Sequence, residues 1–454
     1  MLVLLFAVLV AAASGAPSIQ TPQGSIIGRQ VRSNVIRYSG IPFARPPLGN
    51  LRFARAVLNT DSFDTLNATE FGAPCIQNPL GDPRPPNHLN APPPNENCLF
   101  LNLWVPSSAQ NSSARMPVLV YIFGGGLCSG YTGAYDGANI AAKHDIIVAS
   151  ISYRLGALGF LVDESAFGDG GSGGMNGLHD VIVGLTWLRD NIGHFGGDSA
   201  SVTIFGQSSG SYLICTLCVS PLARGLFHRA ILQSGPCIGG PPGKGWGPGN
   251  LTAGAAATRG VMARLNASTI AELRAADASA VQWPDALMND PKVAPYFSGY
   301  FVDRFVVPQP IDELWRSGRI NPTALILGYT TKDGTAAFYG TAPTLGLVPG
   351  DKTQTSAADY QAALASTWGG LADAVAAAYP LPNYGGSPQA AFVQADADVY
   401  VICPQRVLAA HAVASGLPTW SYEFAHFGCT RPASFPPCAP LSAPVLAAAP
   451  IQFP

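Results

Sequence analysis

Charged side chains are scarce in this sequence of 454 residues. Asp, Glu, Lys and Arg make up 11% of it, whereas roughly a quarter is typical of globular proteins. The two signs nearly cancel, with 25 Lys plus Arg against 27 Asp plus Glu, so the chain has no long-range field to attract nucleic acid or an anionic membrane. A charged coiled coil and a disordered chain are excluded as well. The apolar share of 48% is instead enough for a large core.

The sequence also lacks, after its first residues, any apolar stretch long enough to cross a membrane as a helix. The unbroken apolar run at residues 2–13 is too short to span a bilayer, and small residues follow it. This pattern is typical of a secretory signal peptide, so we expect residues 1–16 to be a signal peptide and the protein to be secreted. Four N-x-[ST] sequons agree with that route and predict glycosylation at Asn67, Asn111, Asn250 and Asn266.

From residue 116 onward, apolar runs of strand length alternate with helical patterns. The runs cover residues 118–123, 146–152, 202–205, 230–232, 325–327 and 420–424. Apolar residues at helical spacing over 178–192 predict a crossover helix between the second and third runs. The alternation predicts an α/β fold with a mostly parallel central sheet and helices on both faces. Because no internal repeat or domain-scale change of composition interrupts it, we expect residues 17–454 to form a single domain.

A G-x-S-x-G pattern at residues 206–210 places Ser208 between glycines, as in the nucleophile elbow of serine hydrolases. A second match surrounds Ser172, but it lies in a glycine-rich segment with no strand before it, which favours a flexible loop. Ser208 directly follows an apolar run and precedes a stretch that can start a helix. The N–H groups and dipole of such a helix favour an oxyanion. Three consecutive glycines after Phe123 are the predicted second source of oxyanion donors.

Longer motifs extend these patterns and resemble the type-B carboxylesterases, the family of cholinesterases, carboxylesterases and lipases within the α/β-hydrolases. They are GIPFARPPLGNLRF at 40–53, ENCLFLNLWVP at 96–106, FGGGLCSG at 123–130, SYRLGALGFL at 152–161 and FGGDSASVTIFGQSSGS at 195–211. The resemblance runs from roughly residue 20 to 428. It implies an α/β-hydrolase fold and ester hydrolysis through an acylated serine, with no metal or cofactor.

The resemblance also assigns roles to single residues. It implies that Ser208 is the nucleophile and that Gly125, Gly126 and the N–H of Ser209 form the oxyanion hole. Family members usually carry Ala at the position of Ser209, and because the backbone donates, we expect this substitution to matter little. Asp333 stands where a Glu is typical and is the implied acid of the triad, since either carboxylate can orient an imidazole.

The nine cysteines of an exported chain suggest disulfides with at least one thiol left over. The resemblance implies a disulfide between Cys75 and Cys98, which closes a loop at the mouth of the site, and it leaves Cys237 as a free thiol. The Cys215-x-x-Cys218 spacing lies on the predicted elbow helix without a second ligand pair, so we interpret both cysteines as core packing.

The general base is the weak point of the pattern. In the family a His-Gly pair follows the last strand, which is TWSYEF here, and His426 is the one histidine after it. His426 falls where family members often carry a non-catalytic histidine. We therefore keep His426 as the candidate base, and we expect that the segment with the family's usual base, at the C-terminal end of the domain, is missing from this chain.

Two functions remain open on the sequence. The first is a secreted carboxylic ester hydrolase that acts on neutral esters or glycerides. The second is a non-catalytic binding or adhesion protein of the same fold, as the missing base would suggest. Cholinesterase specificity is disfavoured, because residues 76–97 contain no Trp, Tyr or Phe to face a choline cation, and Gln207 replaces the Glu usual in that subfamily.

Overall fold

The computed structural model describes residues 16–77, 91–110, 115–163, 173–239, 251–282, 301–331, 333, 356–425 and 449–450. The strands are β1 Ser18–Thr21, β2 Gly24–Ile27, β3 Arg29–Arg32, β4 Val35–Pro42, β5 Thr65–Asn67, β6 Phe100–Pro106, β7 Met116–Ile122, β8 Ile147–Ile151, β9 Gly197–Gln207, β10 Arg229–Gln233, β11 Ala324–Thr330, β12 Thr419–Phe424 and β13 Ala449–Pro450. The α-helices are α1 Ala138–His144, α2 Gly156–Phe160, α3 Asn176–Asn191, α4 Ser209–Leu217, α5 Leu251–Arg264, α6 Ile270–Ala275, α7 Ala278–Val281, α8 Ile311–Arg316, α9 Ala357–Trp368, α10 Ala372–Ala378, α11 Pro388–Ala397 and α12 Cys403–Ala414.

Ten of the described strands form one sheet, in the order β13-β12-β11-β10-β9-β7-β8-β6-β4-β3. All neighbours from β8 to β12 pair in parallel, whereas β6, β4 and β3 extend the sheet in antiparallel fashion. A separate sheet of three described strands contains β1, β2 and β5. The predicted α/β fold with a mostly parallel central sheet is therefore confirmed, and each of the six predicted apolar runs lies on one of its strands.

The core lies between the sheet and its helices. Every residue of β8 is buried, as expected for a central parallel strand covered on both faces. The predicted crossover helix is α3, which buries Leu178, Val181, Leu185 and Leu188. Helix and strand approach closely at Gly184, where an added side-chain carbon would lie 2.7 Å from Ile151. This close packing fixes the position of α3 against the centre of the sheet.

An ion pair inside the core joins the segment after β8 to α3. The Arg154 side chain donates to both carboxylate oxygens of Asp180, with Nη2 at 2.6 Å from Oδ1 and Nε at 2.8 Å from Oδ2. The backbone N–H of Arg154 donates to Oδ2 as well, at 2.9 Å. The side chains are only 4% and 0% exposed, so each charge depends on the other for its compensation.

Helices α9 to α11 pack around a small apolar core of their own, formed mainly by Tyr360, Leu364, Trp368 and Phe392. Helix α11 continues through a π-helical turn at Asp398–Ile402 into α12, which packs against β11 and β12. Among the described residues no helix is both long and apolar enough to span a membrane. The predicted signal peptide falls almost wholly on residues 1–15, outside the described residues.

Candidate active site

Ser208 occupies a strained turn between β9 and α4. Its backbone has φ 55° and ψ −129°, a conformation that L-residues rarely adopt. The flanking glycines explain how the turn fits against β7. A side-chain carbon would lie 2.5 Å from the Ile122 carbonyl oxygen if added at Gly206, and 2.1 Å from it if added at Gly210. Only glycine is compatible with these contacts, so the turn has the geometry that the G-x-S-x-G pattern predicts.

The end of β10 supports the same turn from the other side. The Ser208 N–H donates to the Gln233 carbonyl at 2.9 Å, and the Ser208 carbonyl accepts from the Tyr212 N–H at 3.0 Å. Gly235 lies so close that an added side-chain carbon would be 2.1 Å from the Ser208 carbonyl oxygen. The Ser211 hydroxyl, one turn into α4, donates to the Gly235 carbonyl at 2.9 Å. These contacts fix the serine backbone at the N-terminus of α4.

The glycine loop after β7 lies directly against the serine. A side-chain carbon added at Gly124 would lie 2.4 Å from the Gln207 carbonyl oxygen and 3.1 Å from Cβ of Ser208. Gly125 has φ 123° and Gly126 has φ 63°, conformations that glycine adopts without strain. The structure therefore brings the three glycines and Ser208 together. Such a loop presents bare backbone to whatever binds at the serine.

The side chain of Ser209 has a partner that the sequence does not suggest. Its hydroxyl is fully buried and accepts a hydrogen bond from the Leu127 N–H at 3.2 Å. The expectation that this serine matters little considered only its backbone N–H. The available signal was the polar residue itself, which stands where the family usually has Ala.

Asp333 follows β11, and both of its carboxylate oxygens accept hydrogen bonds from Thr330. The Thr330 N–H lies 2.8 Å from Oδ2, and the Thr330 hydroxyl lies 2.9 Å from Oδ1. One strand nearer to Ser208, the Ser234 N–H donates to the Gly328 carbonyl at 2.8 Å. Because β9, β10 and β11 are parallel neighbours, Ser208 and Asp333 both follow strands that end at the same edge of the sheet.

The candidate base, His426, lies outside the described residues. No histidine in the described part of the chain hydrogen-bonds to Ser208 or Asp333. His228 immediately precedes β10, at the opposite edge of the sheet, where its Nδ1 accepts from a backbone N–H at 3.3 Å. His411 lies on α12, where burial and a nearby arginine of α8 lower its pKa. The second G-x-S-x-G serine, Ser172, lies outside the described residues too.

Within the described residues, no group of three or more His, Cys, Asp or Glu side chains is arranged to hold a metal ion. What the described site offers is a strained serine, backbone N–H groups from two segments and a carboxylate at the same sheet edge. Serine hydrolases use these groups, together with a general base, for acyl transfer.

Comparison with known proteins agrees with this geometry. Residues 15–448 match the model of the Carboxylesterase family. The chain belongs to this family. Its sheet and helices are accordingly those of an α/β-hydrolase.

Mammalian carboxylesterases are among the similar proteins of known sequence. Liver carboxylesterase B-1 of Rattus norvegicus is 38% identical over 236 residues, which are 49% of this chain and 41% of the rat protein. Carboxylesterase 1D of Mus musculus and Liver carboxylesterase of Sus scrofa are each 38% identical over 233 residues, 49% of this chain and 40% of their own length. The matched stretch therefore covers only 40% to 41% of the length of these relatives.

The disulfides of this carboxylesterase-family chain only partly follow the expectation. Cys75 and Cys98 are disulfide-bonded, as expected. The interpretation of Cys237 as a free thiol, and of Cys215 as simple core packing, is wrong, because these two residues form a second disulfide. Helix α4 and the segment after β10 pack side by side and bring the two Cα atoms to 5.6 Å, a juxtaposition that spacing along the chain does not reveal. Cys218 is buried without a disulfide, and burial raises its pKa.

Proposed function

We propose that this protein is a carboxylic ester hydrolase that works through a serine acyl-enzyme. Ser208 attacks the carbonyl carbon and gives its proton to the base, the ester C–O bond breaks, and the alcohol leaves with that proton. Water then hydrolyses the acyl-serine, which releases the acid and restores the Ser208 hydroxyl. The N–H groups of Gly125, Gly126 and Ser209 stabilise the oxyanion of each tetrahedral intermediate. The observation that carries the proposal is the strained Ser208 turn, held against a glycine loop at the N-terminus of α4.

A base must accept the Ser208 proton, and we propose that Asp333 orients it. The two hydrogen bonds from Thr330 hold this carboxylate at the edge of the sheet where Ser208 lies. His426 is the candidate base because it follows β12, the strand next to β11. Asp333→Asn is expected to lower kcat by roughly 10³ to 10⁴, because an amide favours the wrong imidazole tautomer. Asp333→Glu is the matched control and should retain most activity.

For the substrate we propose a neutral carboxylic ester or a glyceride. Residues 76–97 offer no aromatic face for a quaternary ammonium group, and the residue before the nucleophile is the uncharged Gln207. Hydrolysis of p-nitrophenyl butyrate and of tributyrin should therefore exceed hydrolysis of butyrylthiocholine in kcat/KM. A preference for the thiocholine ester would contradict this assignment.

We also propose that the protein is a secreted glycoprotein. Residues 2–13 have the pattern of a signal peptide, and two disulfides are present in the folded chain. The sequon residues Asn67 and Asn266 are both exposed, as an attached glycan requires, whereas Asn111 and Asn250 lie outside the described residues.

A fluorophosphonate probe tests the proposed chemistry, because it phosphonylates activated serines of this kind. Wild-type protein should be labelled and Ser208→Ala should not. Ser172→Ala, which removes the serine of the second G-x-S-x-G match, is the matched control and should be labelled like wild type. His426→Ala should be labelled far more slowly if His426 is the base. A well-folded wild-type protein that resists the probe would instead support a non-catalytic binding or adhesion role.

A further inference from the structure

Two buried hydroxyls hold the backbone on either side of the glycine loop. The Leu127 N–H donates to the Ser209 hydroxyl at 3.2 Å. The Tyr153 hydroxyl donates to the Phe123 carbonyl at 2.8 Å.

These two hydrogen bonds lie at the two ends of the glycine loop. Phe123 immediately precedes Gly124, and Leu127 immediately follows Gly126. The Ser209 hydroxyl therefore joins one end of the loop to the first residue of α4, and the Tyr153 hydroxyl fixes the other end. The Phe123 and Tyr153 side chains stack with ring centroids 4.4 Å apart, which adds a rigid contact at one end.

Both hydrogen bonds lie in the interior of the protein. Ser209 and Tyr153 are 0% exposed, and Phe123 and Leu127 are 1% and 3% exposed. In such surroundings an unpartnered N–H or carbonyl is costly, so each bond constrains the end of the loop that it holds. Burial raises the pKa of the Tyr153 phenol, which therefore remains protonated and able to donate.

We propose that the Ser209 hydroxyl is a positioning group that fixes the glycine loop relative to Ser208. Ser209 follows Ser208 directly and its own N–H is a proposed oxyanion donor, so its side chain links the donor on α4 to the donors of the loop. An alanine, usual at this position in the family, has no such link. The proposal rests on the proposed function for its catalytic consequence, and on the geometry alone for the position of the loop.

Removal of the hydroxyl tests this role, because Ser209→Ala keeps the backbone N–H. Hydrolysis of p-nitrophenyl butyrate is expected to show about tenfold lower kcat with KM within about twofold, since small misplacement of donors affects the transition state more than substrate binding. The Ki of a trifluoromethyl ketone, which mimics the tetrahedral intermediate, should rise by a similar factor. Hydrogen exchange of a peptide that covers residues 123–128 should become faster.

The matched control is Thr216→Val. Thr216 is another buried hydroxyl of α4, 1% exposed, but it donates within the helix to the Tyr212 carbonyl at 3.0 Å. This variant should leave the kcat, the ketone Ki and the exchange of residues 123–128 unchanged. Equal effects of both substitutions would reduce Ser209 to a general stabilising role and overturn the proposal.

A double-mutant cycle tests whether the two hydroxyls act through the same loop. Tyr153→Phe and Ser209→Ala each release one end of it, so the double variant should lose less kcat than the product of the two single losses. Full additivity would contradict a role of Ser209 in positioning the loop. If fluorophosphonate labels wild-type Ser208 while Ser209→Ala is unaffected in every readout, only this inference fails. If the probe does not label wild type, the proposed function fails, and with it the catalytic consequence of the Ser209 hydroxyl.

Discussion

At the scale of single residues, the site concentrates backbone strain where chemistry is proposed. Ser208 is a non-glycine residue at φ 55°, and it is held there by hydrogen bonds to β10 and α4. A serine in this conformation lowers the stability of the fold, and the cost persists because the surrounding contacts leave no alternative. Such strain places the hydroxyl at the tip of a sharp turn, clear of the backbone.

This strain predicts an unusual stability order. Ser208→Gly should be more stable than Ser208→Ala by about 1 kcal/mol. Glycine adopts φ 55° without steric cost, whereas alanine keeps the steric cost that the serine has there. Both variants lack the hydroxyl, so they differ only in the backbone term. Urea unfolding of the two purified variants measures the difference. An alanine variant at least as stable as the glycine variant would contradict the strain at this turn.

At the scale of elements, the buried ion pair shows how α3 is joined to the sheet. Asp180→Asn should destabilise the fold by about 3 to 5 kcal/mol, because Arg154 would remain buried with its charge uncompensated. The same helix offers a control in Asp190, which pairs with Arg189 but is 43% exposed. Asp190→Asn should cost less than about 1 kcal/mol, since exposed pairs contribute little. Denaturant unfolding distinguishes the two, and similar losses would refute the role given to burial.

A second prediction at this scale concerns pH and helix α11. Asp396 is only 5% exposed, and burial raises its pKa to about 7 from an ordinary value of 3.8. The folded protein therefore holds a proton that the unfolded chain releases above about pH 4. The stability associated with this group is complete below about pH 4, declines as pH rises towards 7, and stays low above that.

Asp396→Asn removes this titration and should stabilise the protein at pH 8 by about 2 to 4 kcal/mol, since each pKa unit corresponds to about 1.4 kcal/mol. At pH 4.5 the variant and wild type should be close in stability. Asp373→Asn, on the exposed side of α10, is the control and should show no such difference between the two pH values. Urea unfolding at both pH values decides the matter. A variant that is no more stable at pH 8 would refute the burial cost.

At the scale of the whole molecule, the sequence predicts the parallel strands β7 to β12 well, because each contains a short, continuous apolar run, but it does not predict the other four strands of the sheet. It predicts only part of β9, because the strand begins at Gly197 and its first five residues are glycine, small or polar, so the apolar run starts only at Val202. The sequence does not predict helices α9 to α11, because their many alanines form a weak pattern of large apolar residues. Alanine has a high intrinsic helix propensity, but helices this short are stable only through packing in the folded chain.

The site shows the same division between local and distant information. The Ser208 turn and the glycine loop are encoded within a few residues, so short motifs predict them. The Cys215 to Cys237 disulfide joins segments that are 22 residues apart, and the hydrogen bond from Leu127 to the Ser209 hydroxyl joins segments that are 82 residues apart. Those contacts depend on how strands are ordered in the sheet, and residue spacing carries no record of that order.

The exposed sequons give a prediction about the proposed secretion and glycosylation of the protein. Asn67 ends β5 and Asn266 follows α5, and both are exposed, so a glycan at either position meets no packed surface. Expression through a eukaryotic secretory pathway should yield a protein whose mass falls on treatment with peptide N-glycosidase F. Asn67→Gln and Asn266→Gln should each lower the mass by one glycan and leave ester hydrolysis unchanged. A secreted protein with no glycan at either position would show that accessibility of the sequon is not sufficient here, and cytosolic retention would contradict the proposed secretory route itself.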